Sequence, residues 1–140
     1  MAANHPLAVS RNLRLTDCLQ YGFVLPDRSI GIRQVIESAF AEAHIEVAGA
    51  ITTNSITLIK SMLRLGQMLA ILSVFDVLSE SMRGELAFLP VGDRKLEAET
   101  LVIAVPSNRR PSPPAQAMID IVRSAIRGVD ETRLQASRAS

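Results

Sequence analysis

Residues 52–73 read TTNSITLIKSMLRLGQMLAILS. Four small polar side chains, Thr52, Thr53, Asn54 and Ser55, come first. They precede a run in which Ile56, Ile59, Met62 and Leu63 share one face at helical spacing. Gly66 marks the end of that helix, because glycine can enter the left-handed backbone region without a Cβ penalty. MLAILS, 68–73, is too short for a helix and reads as a buried strand of the kind found in parallel sheets. A polar turn, a helix and a buried strand in succession are parts of a parallel crossover, which points to an α/β lobe.

The same alternation extends in both directions. Upstream, YGFVLP (21–26) is an apolar strand stopped by Pro26. SIGIRQVIESAFAEAH (29–44) sets Ile32, Val35, Ile36, Ala39, Phe40 and Ala43 at helical spacing, with Ser29 as its cap. IEVAGAIT (45–52) alternates as a strand does. Downstream, VFDVLSESMRG (74–84) predicts a short helix stopped by Gly84, and ELAFLPV (85–91) and ETLVIAVPS (99–107) predict strands around the polar loop GDRKLEA. In the closing helix Ser112 caps, Pro113 takes the first position, and Ala115, Met118, Ile119, Val122 and Ile126 form the apolar stripe. Gly128 is expected to end it, leaving VDETRLQASRAS as a polar, frayed tail. Strands alternating with helices in this way predict a mostly parallel sheet flanked by helices.

Composition narrows the function classes. The chain has 140 residues, 48% hydrophobic and 21% charged, which suits one globular domain. A net charge of +1 gives no electrostatic reason to bind nucleic acid or an anionic bilayer. The single cysteine, Cys18, forms no internal disulfide and fits a reducing compartment. MAANHPLAVS (1–10) lacks the pattern of a signal peptide, and no apolar run approaches the ~20 residues of a membrane span. These features lead to the expectation of a cytoplasmic protein without membrane contact.

No catalytic or metal-binding motif emerges. His5 and His44, the two histidines, have no Cys, Asp or Glu at metal-ligand spacing, and both read as surface residues. Cys18 reads as a structural thiol, and Asp130 and Glu131 as solvated charge. Glycine-rich phosphate loops and nucleophile elbows are absent from the sequence. The expectation is a protein with no enzyme activity, no metal and no cofactor. What remains is the turn at Thr53, Asn54 and Ser55, where a helix start offers free N–H groups and partial positive charge to an anion. A second such place is RSIGIR, with Gly31 giving room and Arg33 supplying charge. Residue types alone fit either plain capping or a ligand pocket. Capping needs one such residue, and the row of four keeps the pocket in play.

Together these segments resemble the effector-binding domain of LysR-type bacterial transcriptional regulators. HPLA (5–8) is similar to that family's crossover between two lobes. LRLTDCLQYGFVLPDRSIGIRQVIESAF (13–40) is similar to its D-L pair, proline-ended strand and S-G-hydrophobic-R helix start. Residues 52–73 resemble its polar-turn helix and glycine-punctuated strand, RGELAFLPV (83–91) its return segment, and RRPSPPAQAMIDIVRSAI (109–126) its closing helix. Met68 stands where the family commonly has a second glycine, and Ser73 where a proline ends the strand. Methionine adds bulk there, which implies a pocket that is smaller, more apolar or not functional.

The resemblance implies a periplasmic-binding-protein type II-like α/β fold of two lobes, with a small effector in the cleft between them. It implies a crossover segment at 1–10, a second lobe at 11–91, a return strand and helix of an incomplete first lobe at 92–127, and a flexible tail at 128–140. The first lobe's opening elements and the N-terminal winged helix-turn-helix are expected to be missing, so that DNA is reached only through another domain. Expected partners are a small, anionic effector and further copies of the chain. The implied effector residues are Thr52, Thr53, Asn54, Ser55, Ser29, Gly31 and Met68. The rival functions are a solute-binding lobe outside transcription and a small α/β enzyme.

Overall fold

Strand β1, Gly22–Pro26, is the centre of the sheet and its core because its side chains are buried on both faces. Successive strand residues point to opposite sides. Phe23 and Leu25 accordingly pack with Ile36, Ala39 and Phe40 of helix α2 (Ile32–Glu42), where Phe23 and Phe40 meet edge to face at 5.7 Å. Val24 points the other way, into Ile59 and Leu63 of helix α3 (Ile56–Arg64) and Val77 of helix α4 (Val74–Met82). This arrangement comes from a computed structural model that describes residues 1–46, 51–92 and 102–138.

Two further strands run parallel to β1. Strand β2, Ile51–Thr53, pairs with it as Val24↔Ile51, Leu25↔Thr52 and Pro26↔Thr53. Strand β3, Met68–Leu69, pairs on the other side as Gly22↔Met68 and Phe23↔Leu69, giving the order β2-β1-β3. Gly66 (φ 99°) and Gly84 (φ 69°) close α3 and α4 in the left-handed region, as their positions in the sequence predict. The predicted strand at 45–52 is described only in part, since residues 47–50 lie outside the described residues.

Several expectations need correction. Helix α2 begins at Ile32 with Gly31 as its cap, so Ser29 does not cap it. Ala70–Ser73 and 85–91 form no continuous ladder. Apolar spacing encodes burial, which Leu69, Leu72 and Leu86 achieve, whereas a strand also needs a partner backbone. Residues 85–91 find theirs only at isolated points, through antiparallel Ala2↔Leu86 and parallel Leu13↔Val91 bridges. Residues 102–107 form no strand either, and 93–101, with most of the predicted polar loop, lie outside the described residues. A short helix at Leu15–Cys18, here α1, went unpredicted.

His5 is buried rather than on the surface, only 2% exposed, and its Nδ1 caps the 3-10 turn Pro6–Val9 by accepting from Leu7 N–H at 3.2 Å. On the outer side of α3, Lys60 Nζ lies 2.9 Å from Glu80 Oε1 of α4 and donates to the Asp76 carbonyl at 3.1 Å. Arg64 reaches Glu85 at 2.8 Å, and Arg83 lies 3.6 Å from Glu80. The hydrogen bond from Lys60 chiefly holds the Glu80 carboxyl down at about 2.

The chain divides into two units, Met1–Glu99 and Thr100–Ser140. The second contains helix α5, Pro113–Arg138, whose first turn is closed by Gln116 N–H donating to the Ser112 carbonyl at 2.9 Å. The helix does not end at Gly128 but runs ten residues further. An interior glycine costs about 1 kcal/mol relative to alanine, a local penalty that a long helix absorbs. Of its predicted stripe, Ala115, Met118 and Val122 are exposed, while Ile119 and Ile126 are half-buried. Among the described residues no helix is long and apolar enough to cross a membrane.

Candidate functional site

The ladder between β1 and β2 ends at Pro26↔Thr53, and one more backbone bond follows, from Asp27 N–H to the Thr53 carbonyl at 2.8 Å. Beyond it the two chains part. After β1 the backbone turns onto the face covered by α2, and after β2 onto the face covered by α3. The carboxyl ends of the strands are where ligands of open α/β sheets generally lie. The two segments singled out in the sequence, 27–31 and 53–55, leave β1 and β2 side by side there and form the two lips of a candidate crevice.

One lip is built by short-range polar chemistry. Thr53 Oγ1 accepts from Ser55 N–H at 3.2 Å, and Ser55 Oγ accepts from Leu58 N–H at 3.2 Å. Ser55 is therefore a true helix cap, and Thr53 braces the turn before it. Thr52 and Asn54 are exposed. The N–H groups of Ile56 and Thr57, at the start of α3, have no preceding turn to bond and face the crevice end of the helix. Replacing Ser55 by alanine should cost about 1 kcal/mol of stability, read as a shift in the urea midpoint. A change below a few tenths would mean that the cap does not hold the lip.

The other lip carries charge. Asp27 Oδ1 accepts from Ser29 N–H at 2.9 Å, and that bond is the main reason its carboxyl is held below the usual carboxylate range. Arg33 Nη1 donates to the Pro26 carbonyl at 2.9 Å, while its Nε donates to Glu37 Oε1, also at 2.9 Å. Arg28 reaches the same Glu37 oxygen at 3.2 Å from a far more exposed position. Ser29 and Gly31 are both exposed. Gly31 has φ −52° and a Cβ there would meet no atom within 4 Å, so the lip is open without relying on the glycine.

The structure thus brings Thr53 beside Pro26 and Asp27, with Asn54 and Ser55 following on one turn, Ser29 and Gly31 on the other, and Thr52 one residue back on β2. It does not bring Met68 there. Met68 pairs with Gly22, four residues before Pro26 along β1, or about 13 Å at ~3.3 Å per residue. The sequence reading missed Asp27. Its signal was present in the Pro-Asp-x-Ser order after a strand, where aspartate folds back onto the N–H two residues ahead. Among the described residues no three His, Cys, Asp or Glu side chains gather to hold a metal, and buried Cys18 donates to the Arg14 carbonyl at 3.4 Å.

The family model of the LysR substrate binding domain matches residues 1–127. No curated protein matches the chain.

Proposed function

From its membership of the LysR substrate binding domain family, to which this chain belongs, we propose that it is the ligand-sensing part of a transcriptional regulator and carries out no catalysis. The family's fold is periplasmic-binding-protein type II-like, and its role is to bind the effector of LysR-type regulators. The finer reading places the effector at the crevice between β1 and β2. The observation that carries it is the opposite departure of the two polar loops after adjacent strands, held together by the Asp27–Thr53 backbone bond.

In this reading residues 1–10 form the crossover, 11–91 the second lobe, and 92–127 return to the first lobe. The start of α3 suits a carboxylate or another small anion, because its free N–H groups and helix dipole favour negative charge. Asp27 on the facing lip then selects for a hydrogen-bond donor elsewhere on the same ligand. DNA contact is supplied by a separate domain, in an assembly of several copies within the cytoplasm. The effector acts by binding one arrangement of lobes better than the other, since only differential affinity shifts such an equilibrium.

A thermal-shift screen of small carboxylates against the chain, followed by titration calorimetry of any hit, tests the site. Thr53→Ala with Asn54→Ala should weaken a hit at least tenfold, a loss of about 1.4 kcal/mol. Unaltered affinity in the double variant removes the crevice assignment and leaves the family intact.

A further inference from the structure

We propose that His5 is an acid-sensitive latch that keeps the Pro6–Val9 turn of the opening segment closed at neutral pH and lets it open on acidification. The latch follows from hydrogen-bond inventory. In the folded chain His5 Nδ1 is an acceptor, taking the Leu7 N–H at 3.2 Å. A neutral imidazole can do this, but an imidazolium has only donors. Protonation therefore turns the cap of the Pro6–Val9 turn into a donor-to-donor contact, and it does so on a ring that is 2% exposed.

The surroundings offer a positive charge no compensation. Nε2 is buried without a protein acceptor among the described residues. The ring meets Tyr21 edge to face, with centroids 4.5 Å apart. The charge acting on it is the Met1 α-ammonium, which has the same sign. From α1, Cys18 acts on that ammonium, and Leu7 and Tyr21 pack against the apolar cluster behind. Burial first, and the Met1 ammonium second, hold the His5 pKa below the ordinary 6.5.

The sign follows. The folded segment prefers neutral His5, so its hold is complete above 6.5 and weakens as pH falls from there through the lower folded value. The strongly shifted Glu80 titrates between 4.5 and about 2, below this window.

The test is amide hydrogen exchange of the full 140-residue chain by NMR at pH 7.5 and 5.5, corrected for intrinsic rates. The reporters are Ala8 and Ser10, whose N–H groups donate to the His5 and Leu7 carbonyls, with the Ile59 amide of α3 as the control for global opening. Protection at Ala8 and Ser10 should drop at least tenfold at the lower pH while Ile59 holds. His5→Asn, whose side-chain oxygen can cap but cannot titrate, should abolish the drop. No drop in the parent chain, or an equal drop in the variant, overturns the latch. If His5→Asn does not fold, the parent's His5 Cε1–H titration decides. A midpoint coinciding with the loss of protection supports the latch, and separate midpoints refute it.

Discussion

Ile59→Ala will destabilise the protein by about 3 kcal/mol, within the range of buried aliphatic truncations. Ile59 is 0% exposed and sits where Val24 of the central strand meets Leu63 and Val77. Helix α3 has nine residues, too few to persist in water without packing, so its docking rests on this side chain and Leu63. Leu58, its neighbour in sequence, is 47% exposed and is the matched control. Leu58→Ala should stay within about 0.5 kcal/mol. Urea denaturation of the two variants separates them clearly. A loss under 1 kcal/mol for Ile59→Ala would show that α3 does not pack on β1 as described.

The second large effect is confined to acid. Glu80 is buried against Lys60, and its carboxyl sits at about 2 in the folded chain against an ordinary 4.5. A lowered carboxyl stabilises the fold fully above 4.5 and loses that contribution as pH falls towards 2. Glu80→Gln should be less stable than the parent at pH 7, because Lys60 keeps its charge without its partner. As pH drops from 4.5 to 2 the parent should lose stability faster, until the two urea midpoints converge. Parallel midpoint curves would mean that the Lys60–Glu80 contact stores no pH-dependent stability. Asp27, Glu37 and Glu85 are present in both proteins, so the difference isolates Glu80.

The parts of this fold that could be read in the sequence are those fixed by local chemistry. Helix α3 announced its buried face through Ile59 and Leu63, and Gly66 and Gly84 marked their stops because a positive φ there suits a residue without Cβ. Strand β1 was legible from an apolar run stopped by proline. Pairing was not legible. ELAFLPV (85–91) looks like a strand by composition, yet its backbone partners are Met1, Ala3 and Leu13, more than seventy residues earlier, and no local pattern encodes such a match.

Gly128 misled for the opposite reason. A propensity of about 1 kcal/mol was read as a stop, although nothing at that position forces a left-handed backbone. His5 misled because burial of a polar ring depends on Tyr21, sixteen residues away. For the site, the two lips were visible as polar turns, but their adjacency required the parallel register of β1 and β2. Met68 was assigned by analogy of position within a motif, and only the register shows that it lies at the other end of the sheet.

The hydrogen bond from Asp27 to Thr53 closes one more rung of the sheet beyond the last paired residues. It makes the two walls of the crevice a single stiff hem rather than two independent flaps. In the proposed reading a guest there has no need to gather loose loops around itself, so little binding free energy is lost to ordering them. Affinity would then depend on how well the guest's shape and charge suit a mould already set during folding.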